Sequence, residues 1–307
     1  MQMTGEVVSR STTAGDGGHE SVDLDVLRAW LGRTAQDEDV IGLRQAKLMA
    51  ATIDYAQSSQ LRDGVALPPL WHWLYFLSAL PERELGRDGH PARGSFLPPV
   101  ALPNRMRAGG RIEFLAPIAI GSRVRRTSRI HSIDYKHGRS GDLVFVTVEN
   151  TLESVAGERL LREESDIVYR SAGRLSKKAP SAEKAPEIPS GALTQTLKPT
   201  STTLFRYSAL TFNGHRIHYD ADYCREVEGY DAQVIHGPLN ATLMAGLAAA
   251  CAVNQGRVLR DFSYRGLAPA ILGDTMRYAA WPQDNTLIVE ARLSSGVVCM
   301  RAEARLA

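Results

Sequence analysis

The sequence predicts an α+β chain of two related halves, each carrying a sheet, joined by a linker. Three observations carry this reading. Strand-like runs recur in both halves, at 111–115, 123–135, 143–152 and 159–170, then at 258–265, 275–281, 286–293 and 297–306. Residues 238–253 read as a helix that is apolar nearly all round (Leu239, Ala241, Leu243, Met244, Ala245, Leu247, Cys251), so it must be buried, and its small residues let a curved sheet wrap it closely. Finally, Leu115-Ala116-Pro117-Ile118-Ala119-Ile120-Gly121 matches Leu267-Ala268-Pro269-Ala270-Ile271-Leu272-Gly273 at four of seven positions, 152 residues on, which is the mark of a duplication.

Taken in order, residues 1–20 are polar and rich in Gly, Thr and Ser, and read as disordered. They hold no apolar run ahead of a cleavage site, which argues against a secretory signal. From 23 to 60 the apolar residues Leu24, Leu27, Leu31, Leu43, Ala46, Met49, Ala50 and Ile53 recur at helical steps. Pro68-Pro69 breaks the chain, and the aromatic segment Trp71 to Leu77 reads as core. Residues 81–110, rich in Gly, Pro and Arg, read as a long loop of the kind that often carries function. The turn Gly138-Arg139-Ser140-Gly141 separates two strands, and Pro180, Pro186, Pro189 and Pro199 among Ser, Ala and Lys mark a linker at 171–203. The expected division is therefore a disordered 1–20, a first half at 21–170, the linker, and a second half at 204–307.

Composition narrows the function. With 36 Lys+Arg against 34 Asp+Glu the net charge is +2, which offers no broad electrostatic footprint for nucleic acid. No apolar stretch is long enough to span a membrane as a helix. Three widely spaced cysteines, Cys224, Cys251 and Cys299, form no CxxC pair and read as reduced thiols of a cytoplasmic protein. No GxGxxG, P-loop or GxSxG motif is present.

The chemistry concentrates in Arg206 to Asp220, followed by Val234-Ile235-His236-Gly237-Pro238. Three of the eight histidines, His215, His218 and His236, fall within 22 residues. A zinc set is not completed by cysteine or paired carboxylates, so no metal is expected. Neutral histidine can take a proton from water and return it. Gly237 and Pro238 open the apolar helix, whose free N–H groups can stabilise charge developing on a carbonyl oxygen. A base beside an electrophilic helix end suits addition of water to an unsaturated thioester.

Asn213-Gly214-His215-Arg216-Ile217-His218 with Ile235-His236-Gly237 resembles the hydratase-2 motif of MaoC-like hotdog enzymes. That pattern's Asp falls on Asn213, its Asn on His215, its Pro on Arg216 and its His on His218, so the histidine is kept while the carboxylate is replaced by an amide, which cannot act as a base. Phe205 to Asn213, His215 to Asp220, Val227 to Tyr230 and His236 to Leu239 are similar to one branch, the double-hotdog thioester dehydratases, which includes 3-hydroxyacyl-thioester dehydratases and mesaconyl-C4-CoA hydratases. Pro69, Trp71, Trp73 to Phe76 and Gly109-Gly110-Arg111 extend the likeness into the first half.

The resemblance implies a double hotdog, two curved antiparallel sheets each wrapped around a central helix, with a degenerate first half; the position one repeat before His218 is Ala66. It also implies a CoA thioester held between the halves, with no cofactor beyond the coenzyme A of the substrate. His218 is expected to activate water, Asn213 to hold it and the Gly237 N–H to polarise the thioester carbonyl, with His215, Tyr219 and His236 in support. For a branched dicarboxylyl-CoA, mesaconyl-C4-CoA or itaconyl-CoA, the free carboxylate needs a cation, and Arg105, Arg107, Arg111 and Arg216 are candidates. A 3-hydroxyacyl thioester is the alternative substrate; a non-catalytic acyl-CoA binder and a thioesterase are the alternative classes. The expected partner is the small-molecule thioester alone, with neither nucleic acid nor membrane, and a homodimer is compatible.

Overall fold

The computed structural model describes residues 22–138, 141–171 and 186–307. The disordered tail expected at 1–20, the tip of the turn at 139–140 and residues 172–185 of the linker lie outside them. The described strands are β1 (Thr34–Val40), β2 (Asn104–Phe114), β3 (Arg123–Gly138), β4 (Gly141–Ser154), β5 (Arg159–Arg170), β6 (Leu193–Leu197), β7 (Leu259–Gly266), β8 (Met276–Gln283), β9 (Thr286–Leu293) and β10 (Val298–Leu306). They form one antiparallel sheet in the order β1-β3-β4-β5-β2-β7-β10-β9-β8-β6. Read inward from either edge, the two halves follow the same permutation.

Hydrogen bonds confirm the internal repeat. Leu115 and Ala116 both donate to the Leu160 carbonyl, and Leu267 and Ala268 both donate to Cys299. Leu67 donates to Ile118 at 2.7 Å, and Ile235 to Ala270 at 2.8 Å. Bridges pair Ala66 with Ala119 and Val234 with Ile271. Ala66 is thus the counterpart of Val234 rather than of His218, because the segments ahead of the two bridges differ in length. Counting on from Leu67 and Ile235 places Pro68 where the second half has His236.

The halves share a seam. β2 pairs with β7 from Gly109 opposite Arg265 to Glu113 opposite Asp261. A side chain at Gly109 would lie 2.4 Å from the Tyr264 carbonyl oxygen, so the seam closes only over glycine there.

The helices are α1 (Leu24–Arg28), α2 (Leu43–Thr52), α3 (Ser201–Leu210), the short α4 (Ala221–Tyr223) and α5 (Gly237–Asn254). Thr200 and Thr203 form a capping box at the start of α3. The expected helix at 23–60 is interrupted by β1, a polar edge strand paired with β3, where exposure of both faces leaves no apolar alternation to read. The long loop gives way at Asn104 to β2, and β6 and the start of α3 fall inside the expected linker.

Among the described residues one central helix is present, not two. α5 buries residues around its whole circumference, from Leu239 and Asn240 to Cys251 and Ala252, and packs on β7 to β10. In the first half the equivalent segment is a single 3-10 turn, Trp71–Leu74. Leu70 and Phe76 on either side adopt positive φ (65° and 58°), which no helix can propagate. Trp71, Leu74, Tyr75 and Phe76 are buried, so large rings fill the space that small residues fill around α5. No helix among the described residues is long and apolar enough to cross a membrane.

Candidate active site

The site is assembled from three backbone pieces. α3 ends at Leu210, and Phe212 (φ 47°) turns the chain so that the Asn213 N–H donates to Ser208 O at 2.8 Å. The Asn213 side-chain oxygen accepts the His215 N–H at 3.0 Å, an Asx turn that launches the 3-10 turn Arg216–His218. That turn is tied to the approach to α5: Val234 N–H donates to Ile217 O, and His218 Nδ1 donates to Val234 O, both at 2.8 Å. A carbonyl can only accept, so Nδ1 carries the proton and Nε2 keeps its lone pair.

The third piece comes from the first half. Asp88 O accepts the Arg216 N–H at 3.0 Å, and Gly89 (φ 82°) lies against Gly214. This brings His90 over His215 with ring centroids 4.1 Å apart. His215 meets His218 edge-on at 5.5 Å, and His218 stacks on His236 at 3.7 Å. Four imidazoles form a row, ending where His236 Nε2 meets Ser208 Oγ at 2.8 Å and Tyr207 packs edge-on at 4.9 Å. His215, His218 and His236 are buried.

Burial sets their charge. Desolvation pushes His215 and His218 down to about 3, with neighbouring imidazoles adding to the effect, and holds His236 well below the usual range. Burial also lowers His90. The row is therefore neutral at physiological pH. Asp88 opposes its own burial with hydrogen bonds from His90, through the backbone N–H (3.1 Å) and Nδ1 (3.3 Å), and with the nearby Arg105 charge; these hold its carboxyl well below the usual carboxylate range. Ligating atoms of Asp88, His90 and His215 come within 4.8 Å of one another, a set that could hold a cation. Arg105 stands 3.8 Å from the same carboxylate, and its charge competes with one.

The predicted residues separate. His215, His218 and His236 come together, with Gly237 opening α5 beside them; the first-turn N–H groups there have no intrahelical acceptor. A side chain at Gly237 would meet only Met300, at 3.8 Å, so the glycine leaves room rather than satisfying packing. Asn213 spends its carbonyl oxygen inside the turn. Tyr219 is 52% exposed and bonds back to Gly214 O, outside the row. Arg216 also points away, paired with Asp220 at 2.7 Å and stacked on Tyr223. Arg111 is taken by Glu164 and Asp166. Arg105 and Arg107 lie two residues apart on β2, and Arg105 is spent on Pro91 O and Asp88. Sequence reading missed Asp88 and His90. The signal available was a histidine inside a long loop already marked as a functional candidate.

The interlock of Gly89 and Gly214 is testable. A side chain at Gly89 would sit 1.9 Å from Gly214 O, and its φ is unfavourable for any other residue. Gly89→Ala is expected to lift the loop from the site and cut turnover at least about tenfold, a loss of positioning. Gly229→Ala shares the positive φ (77°) but meets open space. Assaying both variants for turnover and melting separates the clash from the backbone penalty.

Against this geometry, the family described as hydroxyacyl-thioester dehydratase type 2 matches residues 70–272. The chain belongs to that family. The matched range takes in the loop of Asp88 and His90, the histidine motif and α5. Mesaconyl-C(4)-CoA hydratase of Chloroflexus aurantiacus is 43% identical over 279 residues, covering 91% of this chain and 97% of the relative. The mitochondrial hydroxyacyl-thioester dehydratase type 2 of Schizosaccharomyces pombe is 27% identical over 236 residues, covering 69% and 77%. Among solved structures, a MaoC-like dehydratase aligns over 91% of this chain and 99% of its own, with a TM-score of 0.66 and 20% identity. A Mycobacterium tuberculosis protein described as a double hotdog aligns over 90% and 96%, with a TM-score of 0.57 and 13% identity. The fold is thus the double hotdog, its two sheets merged at the β2–β7 seam, and the chain is a hydro-lyase of the hydroxyacyl-thioester dehydratase type.

Proposed function

We propose that the enzyme adds water reversibly across the double bond of a small branched dicarboxylyl-CoA, with mesaconyl-C4-CoA going to citramalyl-CoA as the first choice and itaconyl-CoA beside it. The observation that carries the chemistry is His218, neutral, with Nδ1–H fixed on Val234 O and Nε2 left to accept a proton. In hydration, Nε2 takes a proton from water as the oxygen bonds to the β-carbon. The π electrons move toward the thioester oxygen, where the Gly237 N–H and the start of α5 offset the charge. The imidazolium then returns its proton to the α-carbon, and dehydration is the reverse. Asn213 shapes the turn that aims His218, and its side-chain NH2 is available to the water. His215, His236 and Ser208 keep the ring in place.

The substrate choice is supported by the 43% identity to a mesaconyl-C(4)-CoA hydratase and by the cations on β2, of which Arg105 faces Asp88 beside the histidine row. The 27% identity to a hydroxyacyl-thioester dehydratase favours the second substrate, a straight-chain 3-hydroxyacyl thioester. Three buried, free cysteines fit the cytoplasmic setting. The test is loss of enoyl-thioester absorbance with mesaconyl-C4-CoA and with crotonyl-CoA. Fast loss with the former is expected. Fast loss with crotonyl-CoA alone would move the reading to fatty-acyl dehydration, and no loss with either would end it.

A further inference from the structure

We infer that Arg107 and Tyr264 form the subsite for the substrate's free carboxylate and so decide which acyl group is accepted. This rests on the dicarboxylyl-CoA reading above. The Arg107 guanidinium lies over the Trp73 ring, 4.8 Å from its centroid, and the side chain is 31% exposed. Its nearest carboxylate, Glu163, is 3.9 Å away, beyond hydrogen-bond reach, and Glu163 already accepts from Trp73 Nε1 (3.0 Å) and Ser165 Oγ (2.8 Å) and contacts His72 Nε2 (3.1 Å). Arg107 is therefore held by stacking and by the charge of Glu163, with the Tyr264 hydroxyl as its hydrogen-bonding neighbour and the rest of its planar donor set open.

Beside it is an unused hydroxyl. Tyr264 is 5% exposed, Arg107 lies beside its oxygen, and no acceptor takes its hydroxyl proton. A buried hydroxyl without an acceptor costs free energy until one arrives. Gly110 keeps that space open, since a side chain there would come within 3.2 Å of the hydroxyl oxygen. Tyr207 links this corner to the chemistry: Arg107 and Tyr264 both act electrostatically on its hydroxyl, and its ring packs against His236. A carboxylate on the carbon that receives water must lie a few ångströms from the histidine row, and Tyr207 is what stands between that row and this corner. One anion would satisfy two donors at once, a charged fork and a hydroxyl. Arg105, the alternative on β2, is 8% exposed, donates to Pro91 O and faces the Asp88 carboxylate, whose negative charge would repel a second carboxylate there.

The test uses two saturated thioesters that cannot be hydrated. Methylsuccinyl-CoA with the thioester at C4 carries the carboxylate, and isovaleryl-CoA carries a methyl in its place. Binding is measured by calorimetry, so it does not depend on turnover. The wild type is expected to favour methylsuccinyl-CoA by about a hundredfold, the discrimination a charged hydrogen-bonding site can exert. Arg107→Met, which removes the guanidinium and keeps an unbranched side chain, is expected to erase most of that ratio. Tyr264→Phe, which removes one oxygen, is expected to reduce it about tenfold. Equal binding of the two probes by the wild type would overturn the assignment. So would variants that weaken both probes by the same factor, the signature of a structural pairing with Glu163. If Arg107→Met fails to fold, Tyr264→Phe decides alone. A protein that binds with the expected ratio but hydrates nothing would refute the hydratase reading and leave the subsite standing.

Discussion

His218→Ala is expected to lower turnover by about a hundred- to ten-thousandfold, the range for removing a positioned acid/base group. The protein should remain folded. The ring is one layer of a stack, and the hydrogen bond it gives Val234 O is accompanied by the backbone bond from Val234 to Ile217 that ties the same turns together. The loss should fall on kcat rather than KM, because the imidazole handles a proton in transit and does not hold the thioester. Steady-state rates on the preferred enoyl-CoA, with circular dichroism as a control for folding, check this. A near-wild-type rate would remove His218 from the mechanism and leave His90, held by Asp88, and His236, held by Ser208, as the other oriented imidazoles.

Acid is expected to unfold the enzyme through the same residues. In the native state His215 and His218 stay neutral down to about pH 3, whereas in the unfolded chain they take up protons near pH 6.5. Between those values the unfolded state binds more protons, so stability falls as pH drops through that window. At pH 5 each imidazole costs roughly 2 kcal/mol relative to neutral pH, from one and a half decades at about 1.4 kcal/mol per decade. Together that is about 4 kcal/mol, a large part of a typical folding free energy. Urea unfolding at pH 7.5 and pH 5 measures it, and His215→Asn or His218→Ala should flatten the slope. A stability independent of pH over this range would mean that water reaches the row.

What could be read from the chain and what could not divides along physical lines. α5 and β9 were legible because burial on all sides leaves a nearly continuous apolar signal, and the ends of β9 matched the sequence reading. β1 was illegible because its burial is nearly nil and its residues are chosen for pairing charges on β3 rather than for a core. The missing first-half helix was hidden by Trp71 to Leu77, whose apolarity is that of a core segment whatever its backbone does. In the site, His215, His218 and His236 stood out because they cluster in sequence. Asp88 and His90 did not, because their nearness to His215 depends on two glycines, Gly89 and Gly214, allowing loops from different halves to touch. The arginines were named as a group, but only packing separates Arg107, stacked on Trp73, from Arg105, which donates to Pro91 O, and from Arg111 and Arg216, which are closely ion-paired.

The pairing of β2 with β7 governs how the protein can be made and taken apart. Residues such as Gly110 and Tyr264, about half the chain apart, must find each other before either half has a finished sheet. Such contacts are costly in loop entropy, so the closing of this ladder should be the slow event in folding. Cutting the chain between the halves would strip β7 of a neighbour and leave a row of unpaired amides on a strand that also carries Phe262 and Tyr264. An isolated second half, although it holds the whole histidine motif, should then seek a substitute strand and aggregate. Co-expression of the two halves as separate polypeptides is the more promising route to a split enzyme, because each supplies the edge that the other lacks.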